Sequence, residues 1–278
     1  MRMPDVYICE VIENKKLNAT TFAVTVECGG ASGGASVGSS SNGPATVRAL
    51  AGGLASSARA GQFIHIDCGE GLLLRRPISV CNIRGDKLTF VFEVKGEGTR
   101  RLSAVLPGQK LDILGPLGNG FSFPDGDILV VGGGIGAPPM LFAAKSAKGR
   151  VTAVLGFRDS GGVILKNEFE EACDRVFITT DDGSFGIHGT VMEPIGELLR
   201  GGGFKAVMAC GPRPMLSAVA ELCERQGVYC QVSLEEYMAC GVGACLVCDC
   251  ATVKGEIAGM SRVCKDGPVF DARDVVWV

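Results

Sequence analysis

Short apolar runs of β type open the chain. Residues 6–17 and 21–28 are rich in β-branched residues and are separated by the turn-like sequence LNAT, which predicts two strands. Four more short runs follow residue 62, and they read FIHIDC, PISVCNI, KLTFVFEVK and KLDILGPLG. Many short strands at close spacing indicate a small antiparallel β-barrel.

Residues 29–60 interrupt this barrel pattern. They consist largely of Gly, Ser and Ala and contain almost no large apolar residue. This composition is typical of a flexible loop or a partly disordered insertion. We expect the ordered structure to bypass it.

The pattern of apolar positions changes near Pro124. Four buried strands, DILVV, VTAVLGF, RVFITT and KAVMAC, alternate with helical segments in LFAAKSA, NEFEEACD, MEPIGELLR and MLSAVAELCERQG. Alternation of this kind predicts a parallel, doubly wound sheet. We therefore predict a β-barrel domain over 1–124, an α/β domain over 125–232 and a small cysteine-rich domain over 233–278.

Composition and charge narrow the class of protein. The chain is 46% hydrophobic and 21% charged, as in globular proteins, and its net charge of −3 gives no reason to expect nucleic acid or an anionic membrane as partner. The N-terminal residues show no secretory signal. The most apolar stretch, 128–142, is too short and too interrupted by Gly and Pro to span a bilayer. We expect a cytoplasmic protein.

A glycine-rich turn joins the first α/β strand to a helix. Gly132, Gly133, Gly134 and Gly136 follow the strand directly, and two prolines occupy the expected first helical turn. Glycines allow a pyrophosphate to approach the backbone, and a helix N-terminus attracts its charge. The spacing is not GxGxxG, so a turn without a ligand stays an alternative. Its place at the carboxyl end of a parallel strand favours a dinucleotide.

Five of the thirteen cysteines lie after residue 239. Cys240, Cys245, Cys248 and Cys264 have the C-x4-C-x2-C…C spacing of plant-type [2Fe–2S] ferredoxins. Zinc is the alternative, but the paired CxxC motifs usual for zinc are absent. Cys250 competes with Cys248, which the two-residue spacing favours. The other eight cysteines have no recognisable spacing, and we expect most to be small buried hydrophobes.

Two motifs in the barrel are suited to phosphate. Arg76 opens the strand sequence RPIS, and GEGT over residues 96–99 follows a later strand. An Arg can pair bidentately with phosphate, and a Gly-Thr turn can supply an N–H and a hydroxyl. Either motif alone also fits a solvated strand face or a plain turn.

The order of these motifs resembles the ferredoxin–NADP reductase superfamily. The sequence runs RxxS, GxGT, LGPLGNGF (114–121), GGGIG and CGP (210–212). Together with RRPIS, the tail SLEEYMACGVGAC is similar to that of the electron-transfer subunits of type B dihydroorotate dehydrogenases. The resemblance covers nearly the whole chain except 29–60. It implies FAD in the barrel, NAD(H) in the α/β domain and a [2Fe–2S] cluster in the tail.

The resemblance also implies the site residues. Arg76 would hold the FAD pyrophosphate, with Ile78 and Ser79 against the flavin ring. The implied FAD set is Arg76, Pro77, Ile78, Ser79, Val91, Phe92, Glu93, Gly98 and Thr99. The implied NAD set is Gly132, Gly133, Gly134, Gly136, Cys210, Gly211 and Pro212.

This site departs from the family in two places. Many superfamily members have Tyr at the position of Ile78, and Glu93 stands where a basic residue near FAD is expected.

No catalytic acid or base is needed, because the cofactors carry the chemistry. We expect His65 and His188 to be structural.

The implied partner is an FMN-containing dihydroorotate dehydrogenase catalytic subunit, in a heterotetramer of two of each subunit. Electrons would pass from partner FMN through the cluster and FAD to NAD⁺ in de novo pyrimidine biosynthesis. The run DDGS (181–184) lies where a dinucleotide ribose could bind, with a solvated turn as the alternative. The sequence shows no nearby Arg cluster for a 2′-phosphate, which favours NAD(H) over NADP(H).

Two rival functions stay open. One is the small subunit of an NADH-dependent ferredoxin–NADP reductase or sulfide dehydrogenase. The other is a zinc-bearing, NAD-sensing binding protein.

Overall fold

The computed structural model describes residues 4–28, 53–255 and 257–277. Six antiparallel strands close into a barrel in the order β1-β2-β5-β4-β3-β6. They are β1 (Asp5–Lys16), β2 (Thr21–Glu27), β3 (Phe63–Ile66), β4 (Arg76–Arg84), β5 (Lys87–Glu93) and β6 (Lys110–Leu117). Ile64, Ile66 and Phe90 are fully buried in its core. The barrel confirms the fold predicted from the strand pattern.

Two short helices belong to the barrel, α1 (Leu54–Ser57) and α2 (Glu97–Ser103). The prediction of a flexible stretch over 29–60 is wrong for residues 53–60, because Leu54 is fully buried in the barrel core and anchors α1 there. The rest of that stretch, 29–52, lies outside the described residues. The sequence GEGT is also more than a turn, since it opens α2. Thr99 Oγ1 accepts a hydrogen bond from the N–H of Gly96 at 3.1 Å, which caps the helix.

A second unit contains a seven-stranded sheet in the order β10-β9-β8-β7-β11-β12-β15. Its first six strands are parallel: β7 (Ile128–Gly133), β8 (Val151–Phe157), β9 (Arg175–Thr180), β10 (Ile187–His188), β11 (Ala206–Cys210) and β12 (Cys230–Ser233). The helices are α3 (Ala137–Ser146), α4 (Lys166–Ala172), α5 (Met192–Gly201) and α6 (Arg213–Arg225). Met140 and Phe169 belong to one core cluster, and Ile195 and Leu216 belong to the other. Two cores around one sheet match the predicted doubly wound arrangement.

The cysteine-rich tail forms a hairpin of β13 (Asp249–Lys254) and β14 (Ile257–Arg262), followed by β15 (Val269–Asp271). Strand β15 pairs antiparallel with β12 and so extends the large sheet. The tail is therefore joined to the α/β unit by a strand pair. The domain boundaries proposed from the sequence stay predictions.

The scattered cysteines differ in state. Cys68, Cys81, Cys210, Cys223 and Cys230 are free and buried, as expected for small hydrophobes. Cys9 and Cys28 instead form a disulfide between β1 and the end of β2. The sequence offered no spacing that paired these two, since β1 and β2 bring them together only through their antiparallel register.

None of the helices in the described part of the chain combines the length and the apolar character needed to cross a bilayer.

Substitution of Leu54 by Ala should lower the free energy of unfolding by about 2–5 kcal/mol, because it leaves a cavity in the barrel core. The measurement is urea unfolding followed by circular dichroism. Leu73→Ala is the matched control, since this leucine is 97% exposed, and it should change stability by less than about 0.5 kcal/mol. Equal effects of the two substitutions would show that α1 does not pack against the barrel.

Candidate functional site

A cavity of about 240 Å³ lies at the junction of the barrel and the sheet. Eight of the nine residues predicted for FAD line it, namely Arg76, Pro77, Ile78, Ser79, Val91, Phe92, Glu93 and Thr99. Gly98, the ninth, lies behind Arg76, and a Cβ at this position would be 2.6 Å from Arg76 Nε. Strand β4, strand β5 and the start of α2 thus gather the predicted set around one cavity.

A larger cleft of about 740 Å³ lies at the carboxyl ends of the parallel strands. Gly133, Gly134 and Gly136 line it, opposite Gly211 and Pro212. This is the edge of the sheet at which open α/β folds bind ligands.

The other two predicted nucleotide residues do not line this cleft. The side chain of Cys210 is buried, and burial raises the pKa of its thiol, so it stays neutral. Gly132 serves close packing, because a Cβ there would lie 2.7 Å from Ala137 Cα.

The two cavities adjoin. Glu93, Lys95, Ile135 and Glu235 line both of them. Lys95 Nζ lies 3.3 Å from Glu93 Oε2. The basic group expected at the position of Glu93 is therefore supplied here by a lysine two residues later. Burial raises the pKa of Glu235, and nearby Lys95 opposes the rise. The junction thus holds two carboxylates and one ammonium.

Of the charged residues at this junction, sequence reasoning named Glu93 and missed Lys95 and Glu235. Lys95 directly precedes GEGT, and Glu235 lies in the tail motif, so both lay beside recognised motifs. Only the folded chain shows that they meet. Phe63 and Met238, which line the barrel cavity, had no sequence signal.

The predicted ribose turn is divided between two roles. Asp181 lines the larger cleft. Asp182 instead accepts hydrogen bonds from the N–H and Oγ of Ser184, at 2.9 and 2.6 Å, which lower its pKa and close the turn. Arg158 lines the same cleft, a cation that the sequence did not place there.

The four tail cysteines are grouped as two pairs. The side chain of Cys245 influences the pKa of Cys240, and that of Cys248 influences the pKa of Cys264. The N–H of Cys264 also donates to Cys248 Sγ at 3.4 Å. Among residues 4–28, 53–255 and 257–277, no three acidic, histidine or cysteine side chains converge as a metal-binding group. Cys250, the sequence alternative to Cys248, lies in β13 and is buried in the same hydrophobic cluster as Cys248 and Cys264.

Backbone N–H groups surround Cys240. Those of Val242 and Ala244 donate to its Sγ at 3.4 and 3.3 Å. Burial disfavours the charged thiolate, but these donors together with Cys245 lower the pKa of Cys240 to about 6. The loop can wrap in this way because Gly241 and Gly243 have φ of 70° and 80°, values that glycine adopts readily.

His65 lies behind this loop. A Cβ on Gly241 would be 2.6 Å from His65 Nδ1. Burial and the charge of Arg75 lower the pKa of His65 to about 4, so the ring is neutral at neutral pH. His188, on the edge strand β10, is exposed.

Comparison with known proteins places this geometry in a family. Residues 235–276 match the model of the iron-sulfur cluster binding domain of dihydroorotate dehydrogenase B. The chain is 42% identical over 219 residues to the dihydroorotate dehydrogenase B (NAD(+)) electron transfer subunit of Caldanaerobacter subterraneus subsp. tengcongensis, covering 78% of this chain and 87% of the relative. It is 43% identical over 227 residues to the subunit of the same name from Geobacillus thermodenitrificans, covering 78% and 86%.

The chain belongs to the family of dihydroorotate dehydrogenase B electron transfer subunits. The relatives are named as electron transfer subunits of a dehydrogenase, and this chain is therefore a member of an oxidoreductase family. The resemblance seen in the sequence motifs is confirmed, and the iron–sulfur description of the tail argues against the zinc-bearing alternative.

Solved structures agree on the fold. The structure of an NADH-dependent reduced ferredoxin-NADP oxidoreductase has a TM-score of 0.79 and 29% identity, and the match covers 97% of this chain and 90% of that one. The ferredoxin reductase of carbazole 1,9a-dioxygenase has a TM-score of 0.60 at 17% identity, covering 81% and 66%, and shows the fold alone. This chain thus has a ferredoxin reductase-like architecture.

Substitution of Gly241 by Ala should abolish retention of iron and sulfide by the tail. The added Cβ would meet His65 Nδ1 at 2.6 Å, and φ of 70° is strained for alanine. Iron and acid-labile sulfide are assayed after anaerobic reconstitution. Gly259→Ala is the matched control in the same tail, since a Cβ there meets nothing within 4 Å. Full iron content in both variants would show that the loop yields to the added methyl group.

Proposed function

We propose that this chain moves electrons from the FMN of a dihydroorotate dehydrogenase catalytic subunit, through a [2Fe–2S] cluster and FAD, to NAD⁺ in de novo pyrimidine biosynthesis. The observation that carries the proposal is the shared wall of the two cavities, with the cysteine loop packed against His65 of the barrel strand β3. Nicotinamide accepts a hydride, which carries two electrons, whereas a [2Fe–2S] cluster carries one. A flavin can exchange either two electrons or one, so it belongs between the nicotinamide and the cluster.

The barrel cavity suits FAD. Arg76 offers a guanidinium for the pyrophosphate, and the start of α2 adds the N–H of Gly98. The hydroxyl of Thr99 donates to the Gly96 carbonyl at 3.0 Å and so holds this turn in place. Because Gly98 has no side chain, the guanidinium of Arg76 can lie directly beside it. Ile78 and Ser79 line the cavity on β4, where an apolar side chain and a hydroxyl can face a flavin ring.

The larger cleft suits NAD(H). Its glycine turn opens α3, and its other wall carries Gly211 and Pro212. Hydride transfer requires the reacting atoms to be about 3–3.5 Å apart, so the flavin and nicotinamide rings must meet. Glu93, Lys95, Ile135 and Glu235 mark that meeting place. Their role is to bind and orient the rings and to exclude water.

The donor set of the tail fits a [2Fe–2S] cluster. Four thiolates bind such a cluster, two on each iron, and the cysteines lie as the pairs Cys240–Cys245 and Cys248–Cys264. The N–H groups that donate to Cys240 Sγ favour its thiolate form. The bound cluster would supply one-electron transfer.

The catalytic subunit is proposed to dock over this loop. Apolar side chains are exposed beside the cysteines, namely Tyr237 (90%), Leu246 (58%) and Val247 (54%). Exposed apolar residues grouped around a redox group are suited to a protein partner. We propose two copies of each subunit in the complex and a cytoplasmic location.

The sibling function, as small subunit of an NADH-dependent ferredoxin–NADP reductase, has weaker support. The solved structure of that kind is 29% identical to this chain, whereas the dihydroorotate dehydrogenase subunits above reach 42% and 43%.

The deciding experiment is anaerobic co-purification with a dihydroorotate dehydrogenase catalytic subunit from the same genome, followed by assay of dihydroorotate-dependent NAD⁺ reduction. The wild-type complex should be brown-yellow and active. Cys245→Ser should reduce this activity to background while NADH oxidation by an artificial flavin acceptor continues. Equal loss of both activities would contradict the proposed order of cofactors.

Cys250→Ser is the matched control, because it makes the same change in the same tail at a cysteine outside the predicted ligand set. It should leave both activities in place. A wild-type chain that binds FAD and iron but ignores this catalytic subunit would favour the sibling function.

Gly98→Ala should weaken FAD binding about tenfold, equal to about 1.4 kcal/mol, because the new methyl group displaces Arg76. Flavin fluorescence titration of the FAD-free chain measures the dissociation constant. Gly96→Ala is the control, since a Cβ there meets nothing within 4 Å. Unchanged affinity of Gly98→Ala for FAD would show that Arg76 does not contribute to the phosphate site.

A further inference from the structure

One buried histidine separates the barrel cavity from the cysteine loop. In β3, the side chains of Ile64 and Ile66 belong to the barrel core. Phe63 and His65 alternate with them and point out of the barrel. Phe63 lines the barrel cavity, and its ring centroid lies 6.5 Å from that of His65 in an edge-on arrangement at 77°.

The other side of the His65 ring faces the loop. Gly241, the residue directly after Cys240, lies so close that only glycine fits beside Nδ1. Packed side chains therefore run from the barrel cavity through Phe63 and His65 to the backbone of the cysteine loop. No other aromatic contact of Phe63 is present in the described part of the chain.

The ring nitrogens of His65 lack partners. His65 is 0% exposed, and neither Nδ1 nor Nε2 has a hydrogen-bond partner among the described residues. A buried donor left unsatisfied costs about 1–3 kcal/mol. Buried polar groups normally have a partner, so the position calls for an acceptor.

Of the two guanidinium groups that act on His65, the one with the larger effect, Arg75, is already paired. Arg75 Nη1 lies 2.8 Å from Asp112 Oδ1 and also donates to the backbone oxygen of His65 at 3.4 Å. The guanidinium is thus held at the back of β3 by its own carboxylate. The ring N–H of His65 is left as the free donor that borders the loop.

We propose that His65 is a positioning residue that donates its ring N–H to a sulfur of the bound cluster beside Cys240 and so raises the reduction potential of the cluster. No cysteine sulfur of the described loop accepts a hydrogen bond from His65, so a sulfur of the bound cluster is the acceptor that remains. Hydrogen bonds to cluster sulfurs are among the factors that set the potential. A reduced cluster carries one more negative charge, so an N–H donor stabilises it more than the oxidised form. His65 transfers no proton and forms no covalent bond in this role.

This inference rests on the proposed function, because it needs the cluster at Cys240. It further implies that a residue of the barrel, His65, adjusts the difference in reduction potential between the cluster and the flavin.

The test is an EPR-monitored redox titration of the assembled complex with two variants. His65→Met fills the space without a donor, and His65→Gln keeps an N–H. We expect His65→Met to shift the cluster potential downward by an amount that changes the ratio of reduced to oxidised cluster about tenfold, which is about 59 mV for one electron. His65→Gln should stay near the wild-type potential. The FAD potential should not move in either variant.

Loss of the cluster from His65→Met alone would also support a required donor. The inference is overturned if both variants keep the wild-type potential, if both shift equally, or if both lose the cluster alike, since shape and not the N–H would then matter. His188→Met, at the second histidine of the chain, controls for the substitution and should leave the cluster potential unchanged. A wild-type complex without an iron–sulfur EPR signal would instead defeat the proposed function itself.

Discussion

Asn119, in the segment that leads from the barrel to the first strand of the sheet, holds the three parts of the molecule in register. Its side-chain amide donates to the carbonyl oxygens of Lys265 and Asp266 at 3.2 and 2.9 Å, and its backbone N–H donates to that of Gly267 at 2.6 Å. Three residues on, Ser122 exchanges two hydrogen bonds with the side chain of Gln231 in β12. Because this junction ties the cysteine tail to the barrel exit, the loop at Cys240 stays beside β3, and the barrel cavity stays beside the sheet cleft.

The arrangement of cavities suits the electron counting of the proposed function. A two-electron hydride donor or acceptor must touch the flavin, which requires a shared wall, and Lys95 and Glu235 stand in that wall. A one-electron centre needs only proximity, which allows protein side chains to intervene. Phe63 and His65, on the outer face of β3, are those side chains, since Phe63 lines the barrel cavity and His65 packs against the cysteine loop. The two cavities therefore share a wall directly, whereas the barrel cavity and the cysteine loop are connected only through protein side chains.

The sequence predicted the features that depend on local spacing. The C-x4-C-x2-C run, the strand–glycine–helix unit at Gly132 and the short barrel strands are periodic or contiguous patterns, and such patterns are visible in a chain. It did not predict Lys95, Glu235, Phe63 or the Cys9–Cys28 disulfide, because each acquires its role from residues distant in the chain. The short helix at Leu54 was missed for a different reason. A single leucine in a Gly/Ser/Ala stretch gives no periodic signal, yet its burial in the barrel core suffices to order its surroundings.

The glycines of the nucleotide turn show why a motif alone does not reveal what each position does. A side chain on Gly136 would overlap the backbone carbonyl of Cys210, and one on Gly132 would press on Ala137. Gly134 has φ of 53° and faces open space, so a methyl group there would strain the backbone without striking a neighbour. Gly132 and Gly136 bring α3 and the end of β11 close to β7. Gly134 lets the chain turn at the mouth of the cleft. The cleft therefore owes its shape to packing between protein segments at least as much as to any demand of a bound dinucleotide.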